Sequence, residues 1–143
     1  MTHWFVGALV VVASVGRADD CVHYEPVVVE LTGKIVRRTF FGPPNFGEHP
    51  ESDRRVTQTL LELDRAICVV ATPGDDTTEN EADQRIVTLG ASGGLDLRRY
   101  AGERVAVRGT LFHAQTAWHN TPVLLTVSHI TRIGPHAAEP KKP

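Results

Sequence analysis

The chain of 143 residues is poor in the residue types that usually reveal a function. It contains two cysteines, one methionine and 6% aromatic residues, and its 15 lysines and arginines nearly balance 17 aspartates and glutamates. This balance excludes a general electrostatic attraction to nucleic acid or to an anionic membrane. Two cysteines without a CxxC pair also fall short of a structural zinc site. Any function therefore has to be sought in individual side chains.

An apolar run occupies the N-terminus, from Trp4 to Val15. The small-residue pattern at 16–18 then suits signal peptidase cleavage before Asp19, although no Lys or Arg precedes the run. A buried strand or a membrane anchor are the alternatives, but the run is too short to span a bilayer. We expect residues 1–18 to be a signal peptide, which predicts a periplasmic or secreted protein with no membrane span after cleavage.

Removal of 18 residues from 143 leaves 125, enough for one compact domain, which we place at 19–134. Cys21 and Cys68 remain, and in an exported protein an even pair most simply forms one disulfide. A zinc site or a redox thiol is the alternative for these two residues. The tail, 135–143, has nothing to bury and is expected to be disordered.

Alternation of apolar and polar residues, with many β-branched side chains, predicts five strands. They cover 27–41, 56–70, 85–89, 104–114 and 122–133. The first bends at Gly33, the second is broken near Asp64, and one or two helical turns are expected within 95–102. This order predicts an all-β fold, a small OB-like five-stranded barrel with one short helix between strands three and four. A β-sandwich is the nearest alternative.

The segment from Thr72 to Asp83 is acidic, rich in turn residues and without an apolar anchor. We expect it to be a solvated loop. Its carboxylates do not have the spacing of an EF-hand, so calcium is not expected there.

Several short motifs lie along residues 21–133. They are CVHYEP at 21–26, LTG at 31–33, RTFFGPPNF at 38–46, GTLFHAQT at 109–116 and PVLL at 122–125. Together they resemble an uncharacterised family of exported bacterial proteins, the domain of unknown function numbered 4431. The resemblance implies an exported small β-barrel with an internal disulfide, and it implies no activity. In that family the turn that contains Trp118 and Asn120 here is often richer in histidine, which weakens a metal site at this turn.

Two histidines, His113 and His119, flank the turn between the last two strands, six positions apart. They are candidate ligands for zinc or copper, although two imidazoles make only half of a structural site. The alternative is that His113 packs at a strand end while His119 caps a turn. No cofactor is required by the sequence, and metal binding stays the second hypothesis.

Aromatic and cationic residues interleave around the loop after the first strand. The candidate ligand-binding residues are Arg37, Arg38, Phe41 and Phe46, with Trp118 from the last turn. OB barrels bind oligonucleotides and oligosaccharides with such groups. The alternative is that the phenylalanines are core residues. In an exported protein, a saccharide, a peptide or another envelope protein is a more plausible partner than nucleic acid, which we do not expect.

The stretch from Gly90 to Gly94 fits the pattern G-x-S-x-G and makes Ser92 a candidate nucleophile. Its context does not fit a serine hydrolase, because His49 and Asp64 precede it outside any recognisable motif. We therefore predict a non-enzymatic binding or envelope-associated module. A metal-binding protein is the second hypothesis, and a serine hydrolase is the third.

Overall fold

The computed structural model describes residues 21–134, so the expected signal peptide and the tail at 135–143 lie outside the described residues. The elements of this part are β1 (Val22–His23), β2 (Val28–Phe41), β3 (Arg55–Val70), β4 (Glu81–Ala91), a 3-10 helix (Leu97–Tyr100), β5 (Arg104–His113) and β6 (Val123–Arg132). The five predicted strands correspond to β2 through β6. Among residues 21–134, no helix has the length and apolar character that crossing a membrane requires.

The strands form one sheet that closes on itself. The strand order is β1-β3-β2-β5-β6-β4, and β4 also pairs with β3, so that β2 through β6 make a closed barrel. Neighbouring barrel strands are antiparallel except for β4 and β6, which are parallel. This connectivity confirms the predicted OB-like barrel, with the short helix between its third and fourth strands.

Strand β2 closes the barrel because it pairs with two different strands. Its first half pairs with β5 and its second half with β3, and Gly33 has Val105 on one side and Leu63 on the other. A Cβ atom at Gly33 would lie 2.1 Å from the backbone oxygen of Glu62, far inside van der Waals contact. Glycine is therefore required at the point where β2 passes from one partner to the other.

The interior of the barrel is filled by alternate residues of every strand, because successive side chains of a strand point to opposite faces. These residues have odd numbers throughout; the core includes Val29, Leu31, Ile35, Leu61, Val69, Val87, Leu89, Val105, Val107, Leu111, Val123, Leu125 and Val127. Leu97 adds an apolar side chain from the 3-10 helix. In β5 and β6 the core residues are Val105, Val107, Leu111, Val123, Leu125 and Val127, so both strands follow the alternation that a strand with one buried face requires.

The predicted loop from Thr72 to Asp83 is wrong at its end, since β4 begins at Glu81. Glu81 pairs with Val69 of β3, beyond two register shifts in the β3–β4 ladder, the first of which follows Glu62. Pairing with the last residues of β3 therefore extends the strand into a segment whose polar composition favours a loop. This first shift lies close to the predicted break near Asp64.

One disulfide joins Cys21 to Cys68, with 4.6 Å between their Cα atoms, and confirms the expected pairing. The bond closes a loop between residues 47 positions apart and holds β1 beside the end of β3. Closing a loop of this length stabilises the fold by about 4 kcal/mol, because the disulfide lowers the chain entropy of the unfolded state.

Burial predicts opposite outcomes for two valines on neighbouring strands. Val107 of β5 is fully buried, whereas Val28 of β2 is 58% exposed. We expect Val107→Ala to lower the free energy of unfolding by about 2 kcal/mol, because it leaves a cavity. Val28→Ala is the matched control and should change it by less than about 0.5 kcal/mol. Chemical denaturation measures both; equal losses would contradict the placement of Val107 in the core.

Candidate functional site

Two loops meet on the outside of the barrel, the β2–β3 loop (42–54) and the β5–β6 loop (114–122). Phe46 of the first and Trp118 of the second pack edge to face, with ring centroids 5.4 Å apart and an interplanar angle of 84°. Trp118 remains 46% exposed. In OB barrels, the loops at these two positions and the faces of the second and third strands, here β3 and β4, carry bound ligands.

The β5–β6 loop packs against the outer face of the barrel. The hydroxyl of Thr121 lies 2.9 Å from that of Thr88 and accepts a hydrogen bond from the Thr88 backbone N–H at 3.1 Å. Leu60 and Leu124, which pair with Thr88 from either side, are buried although they have the outward parity. The loop therefore has a fixed position on the β3–β4 face.

Gln58 fastens the tip of the same loop to β3. Its side-chain amide donates a hydrogen bond to the backbone carbonyl of Trp118 at 2.8 Å, and its carbonyl accepts one from the Asn120 amide at 2.9 Å. We call Phe46, Gln58, Trp118 and Asn120 the aromatic surface. Sequence reasoning missed both amides, because an outward-facing Gln in a strand and an Asn in a turn carry no distinctive pattern.

Phe46 adopts an uncommon backbone conformation, with φ at +52°. Non-glycine residues rarely occupy this left-handed region, so the surrounding loop has to hold Phe46 in it. The nearly buried carboxylate of Asp53 does so by accepting backbone N–H groups from Asn45 at 2.7 Å, Gly47 at 2.7 Å and His49 at 3.4 Å. Asp53 is thus the residue that shapes the loop, and the sequence analysis did not single it out.

These hydrogen bonds determine the acidity of Asp53. Burial alone raises the pKa of its carboxyl group, but the bonds from Gly47, Asn45 and His49 together outweigh burial and lower the pKa below its ordinary value of 3.8. The carboxylate is therefore charged at neutral pH, the form in which it holds the loop.

Phe41 supports the loop from below. The guanidinium of Arg55 lies 4.1 Å from the centroid of its ring, and Gly47 packs against the same ring. This predicted ligand-binding residue therefore contacts the base of the loop that carries Phe46.

The two predicted arginines point to opposite faces of β2. Arg38 pairs in register with Gln58 and forms an ion pair with Glu62 at 2.9 Å. Arg37 has the inward parity of Ile35 but lies where β2 is exposed. Of the five predicted residues, the structure thus joins Phe46 with Trp118, places Phe41 and Arg38 nearby, and separates Arg37 from them.

The two predicted metal ligands have different surroundings. Nδ1 of His119 accepts the backbone N–H of Gln115 at 2.9 Å, and its ring packs against Phe112 at 5.6 Å. His113 has the inward parity of the core, and its Nε2 lies 2.8 Å from Oε1 of Glu81. Because Phe112 and His113 are consecutive, they and their contacts lie on opposite faces of β5.

His113 belongs to a cluster that the sequence analysis did not predict. Its ligand atom and those of Glu79 and Glu81 all lie within 4.8 Å of one another. Tyr24, 2% exposed, packs edge-on against His113 with ring centroids 6.1 Å apart and donates a hydrogen bond to the Glu79 backbone carbonyl at 2.8 Å. Nothing in the sequence pattern joins the two glutamates to His113, because both lie in the segment from Thr72 to Asp83, whose composition indicated a solvated loop.

The surroundings of Tyr24 raise the pKa of its hydroxyl group. Burial, and after it the negative charges of Glu81 and Glu79, raise the pKa of the Tyr24 hydroxyl to about 12. Both causes disfavour the phenolate.

The residues considered for a serine hydrolase have local partners of their own. Ser92 is exposed after β4 and its backbone N–H donates to the Val127 carbonyl at 3.1 Å. His49 lies 3.9 Å from a carboxylate oxygen of its neighbour Glu51. Asp64 accepts two hydrogen bonds from the Arg104 guanidinium, at 2.6 and 3.0 Å. This ion pair links β3 to β5, so Asp64 has a structural role in the barrel.

A surface pocket of about 550 Å³ lies beside the Asp64–Arg104 pair. Arg132 and Glu103, which also line it, form a second ion pair. Lys34 adds a further cationic side chain to the lining, beside these two ion pairs.

These features define the class of protein, a small OB-like barrel with one disulfide and an aromatic surface between two loops. The family model of DUF4431, a domain of unknown function, matches residues 84–131, a segment that runs from within β4 to within β6. The match confirms, over this part of the chain, the resemblance that the motifs indicated. No curated protein and no solved structure matches the chain.

Asp53→Asn tests whether this carboxylate holds the β2–β3 loop. The substitution removes the charge that three backbone N–H groups share, so amide exchange at Asn45 and Gly47 should quicken by roughly a factor of ten or more at neutral pH. Amide exchange followed by NMR measures it.

Because the pKa of Asp53 is lowered, its stabilising contribution is present above pH 3.8 and lost as the pH falls below that value. The Asn variant should lack this acid sensitivity.

Asp75→Asn is the matched control for this experiment. Asp75 also accepts a backbone N–H, from Thr77, but lies in the β3–β4 loop. Its replacement should leave exchange at Asn45 and Gly47 unchanged. If the two variants alter those amides equally, the assigned role of Asp53 is wrong.

Tyr24→Phe tests the burial of the phenol in its negative surroundings. The unfolded chain releases this proton near pH 10.0 and the folded chain near 12, so the stability of the wild-type protein should fall over this interval. The variant has no phenol to ionise. At about pH 8 the free energy of unfolding of the variant should be about 1 kcal/mol below that of the wild-type protein, because one hydrogen bond is lost. This deficit should shrink at about pH 11, where the wild-type protein has itself lost stability. Urea unfolding at the two pH values measures the deficit, and one that grows would contradict the raised pKa.

Proposed function

We propose that this protein is an exported, non-enzymatic module that binds an oligosaccharide of the cell envelope on the aromatic surface. The observation that carries the proposal is the half-exposed indole of Trp118, held edge to face against Phe46 by two fixed loops. A large apolar ring that a soluble domain leaves exposed at a ligand position of its fold is best explained by a ligand that covers it.

The chemistry of the surface favours a sugar over the other candidate partners. An indole face packs against the C–H groups of a sugar ring, while amides such as those of Gln58 and Asn120 hydrogen-bond with hydroxyl groups. A nucleic acid would need unpaired cations, yet Arg38 is paired with Glu62 and the whole chain has a formal net charge of −2. A peptide or another envelope protein remains the competing partner.

The surface is also suited to binding without prior rearrangement. Gln58 and Thr121 hold the β5–β6 loop, and Asp53 holds the β2–β3 loop, so that Phe46 and Trp118 have fixed positions in the unbound protein. A fixed surface loses little conformational entropy on binding. These rings and amides bind a ligand without exchanging protons with it, so binding is their only role.

The disulfide bears on the compartment in which the protein works. The disulfide between Cys21 and Cys68 is compatible with an extracytoplasmic protein, since such bonds persist in oxidising compartments. Together with the expected signal peptide, it supports a periplasmic or secreted location. Envelope polysaccharides are abundant ligands there.

Binding to oligosaccharides tests the proposal directly. The exported form, with Asp19 as its expected first residue, should bind a class of oligosaccharide on a glycan array. Its fluorescence should change on binding, because Trp118 is the only tryptophan once Trp4 is removed. Trp118→Ala should weaken binding by about tenfold or more, measured by titration calorimetry with the best array ligand.

Val28→Ala is the matched control, because Val28 is also an exposed apolar residue but lies at the start of β2, where it pairs with Thr110 of β5, and is not part of the aromatic surface. It should leave the affinity unchanged. Absence of glycan binding, or equal affinity in the Trp118 variant, would contradict the proposal. Binding of a peptide library in place of glycans would replace the saccharide with a peptide ligand.

A further inference from the structure

The start of β4 and the end of β5 bring together three side chains with the donor types of a metal site. Glu79, Glu81 and His113 each offer a ligand atom within 4.8 Å of the others, and within the described residues they are the only such group of three or more His, Cys, Asp or Glu side chains. Glu79 and Glu81 are two residues apart, whereas His113 lies 32 positions after Glu81. The barrel fold alone makes them neighbours.

The distances are close to those that a metal requires. Tetrahedral ligands about 2.1 Å from a zinc ion lie about 3.4 Å from one another. Nε2 of His113 and Oε1 of Glu81 are already 2.8 Å apart, and their side chains are only 14% and 21% exposed. Glu79 is exposed on the loop before β4, so its carboxylate can complete the set by a rotamer change.

The surroundings hold the ligands in place. Tyr24 packs its ring edge-on against the imidazole of His113, and its hydroxyl fixes the backbone carbonyl of Glu79. Tyr24 is itself positioned by β1, which the disulfide at Cys21 ties to β3. Such supporting contacts are typical of residues that orient metal ligands.

The charges also favour a cation. Two carboxylates stand against one imidazole, so the cluster carries excess negative charge beside the core even when His113 is protonated. A divalent ion compensates this charge more completely than a proton on the histidine does.

We propose that Glu79, Glu81 and His113 bind a divalent transition-metal ion, with zinc as the metal to test first and at least one position left for water. One nitrogen and two carboxylate oxygens suit zinc, whose open sites have three protein ligands. Calcium fits poorly because it takes six to eight oxygen ligands. This set replaces the pairing of His113 with His119, whose Nδ1 accepts the Gln115 backbone N–H on the other face of β5.

The test is zinc titration of the chelator-treated protein by calorimetry, with the disulfide intact. The wild-type chain should bind about one zinc ion, and Glu81→Gln and His113→Gln should each weaken binding by about tenfold or more. Glu79→Gln should also weaken it, because its carboxylate is the third ligand. Cobalt substitution gives a second readout, since the visible spectrum of bound cobalt reports on a nitrogen and oxygen ligand set.

Three controls make the outcome decisive. His119→Ala should retain wild-type affinity, and so should Glu62→Gln, which removes a glutamate of β3 that is paired with Arg38 and is not part of the cluster. Thermal unfolding in chelator separates a lost ligand from a lost fold: Glu81→Gln should stay folded without metal.

No zinc binding by the wild-type chain, unchanged affinity in the Glu79 and Glu81 variants, or loss of binding only in the His119 variant would each overturn the proposal. None of these results bears on oligosaccharide binding, which uses different residues.

Discussion

The barrel closes because one strand, β2, forms hydrogen-bonded ladders with two partners in succession. Its first half pairs with β5 and its second half with β3, and at Gly33 the neighbouring backbone approaches too closely for any Cβ atom. Closure gives each of the strands β2 through β6 two neighbours and sets which strand faces are inside. The core, the position of both long loops and the cluster around His113 all depend on this single change of partner.

Alternation along β5 explains why the contacts of Phe112 and those of His113 lie on opposite faces of this strand. Phe112 faces outward, where His119 and the β5–β6 loop cover it, whereas His113 faces inward beside Tyr24. Adjacent residues of one strand therefore serve different surfaces. A ligand on Trp118 and a metal on His113 would share an element of the fold without sharing a contact.

Each candidate site depends on a carboxylate with an unusual environment. Asp53 gathers backbone N–H groups and thereby holds Phe46 in a left-handed conformation, a local strain of the kind found at ligand-binding loops. Glu81 instead meets an imidazole at the rim of the core. The charge of Asp53 is stabilised by N–H groups of its own loop, whereas Glu81 is paired with His113 of another strand, β5.

The sequence by itself determined the order of the five barrel strands, the inward faces of β5 and β6 and the disulfide, because alternation, glycine positions and cysteine parity are local signals with direct structural meaning. It also indicated Phe46 and Trp118 as surface aromatics. It did not determine that they touch, that Gln58 fastens their loop, or that Glu79 and Glu81 meet His113. Only the tertiary structure decided these contacts, because they join residues far apart in the chain, and their geometry follows from strand order and register.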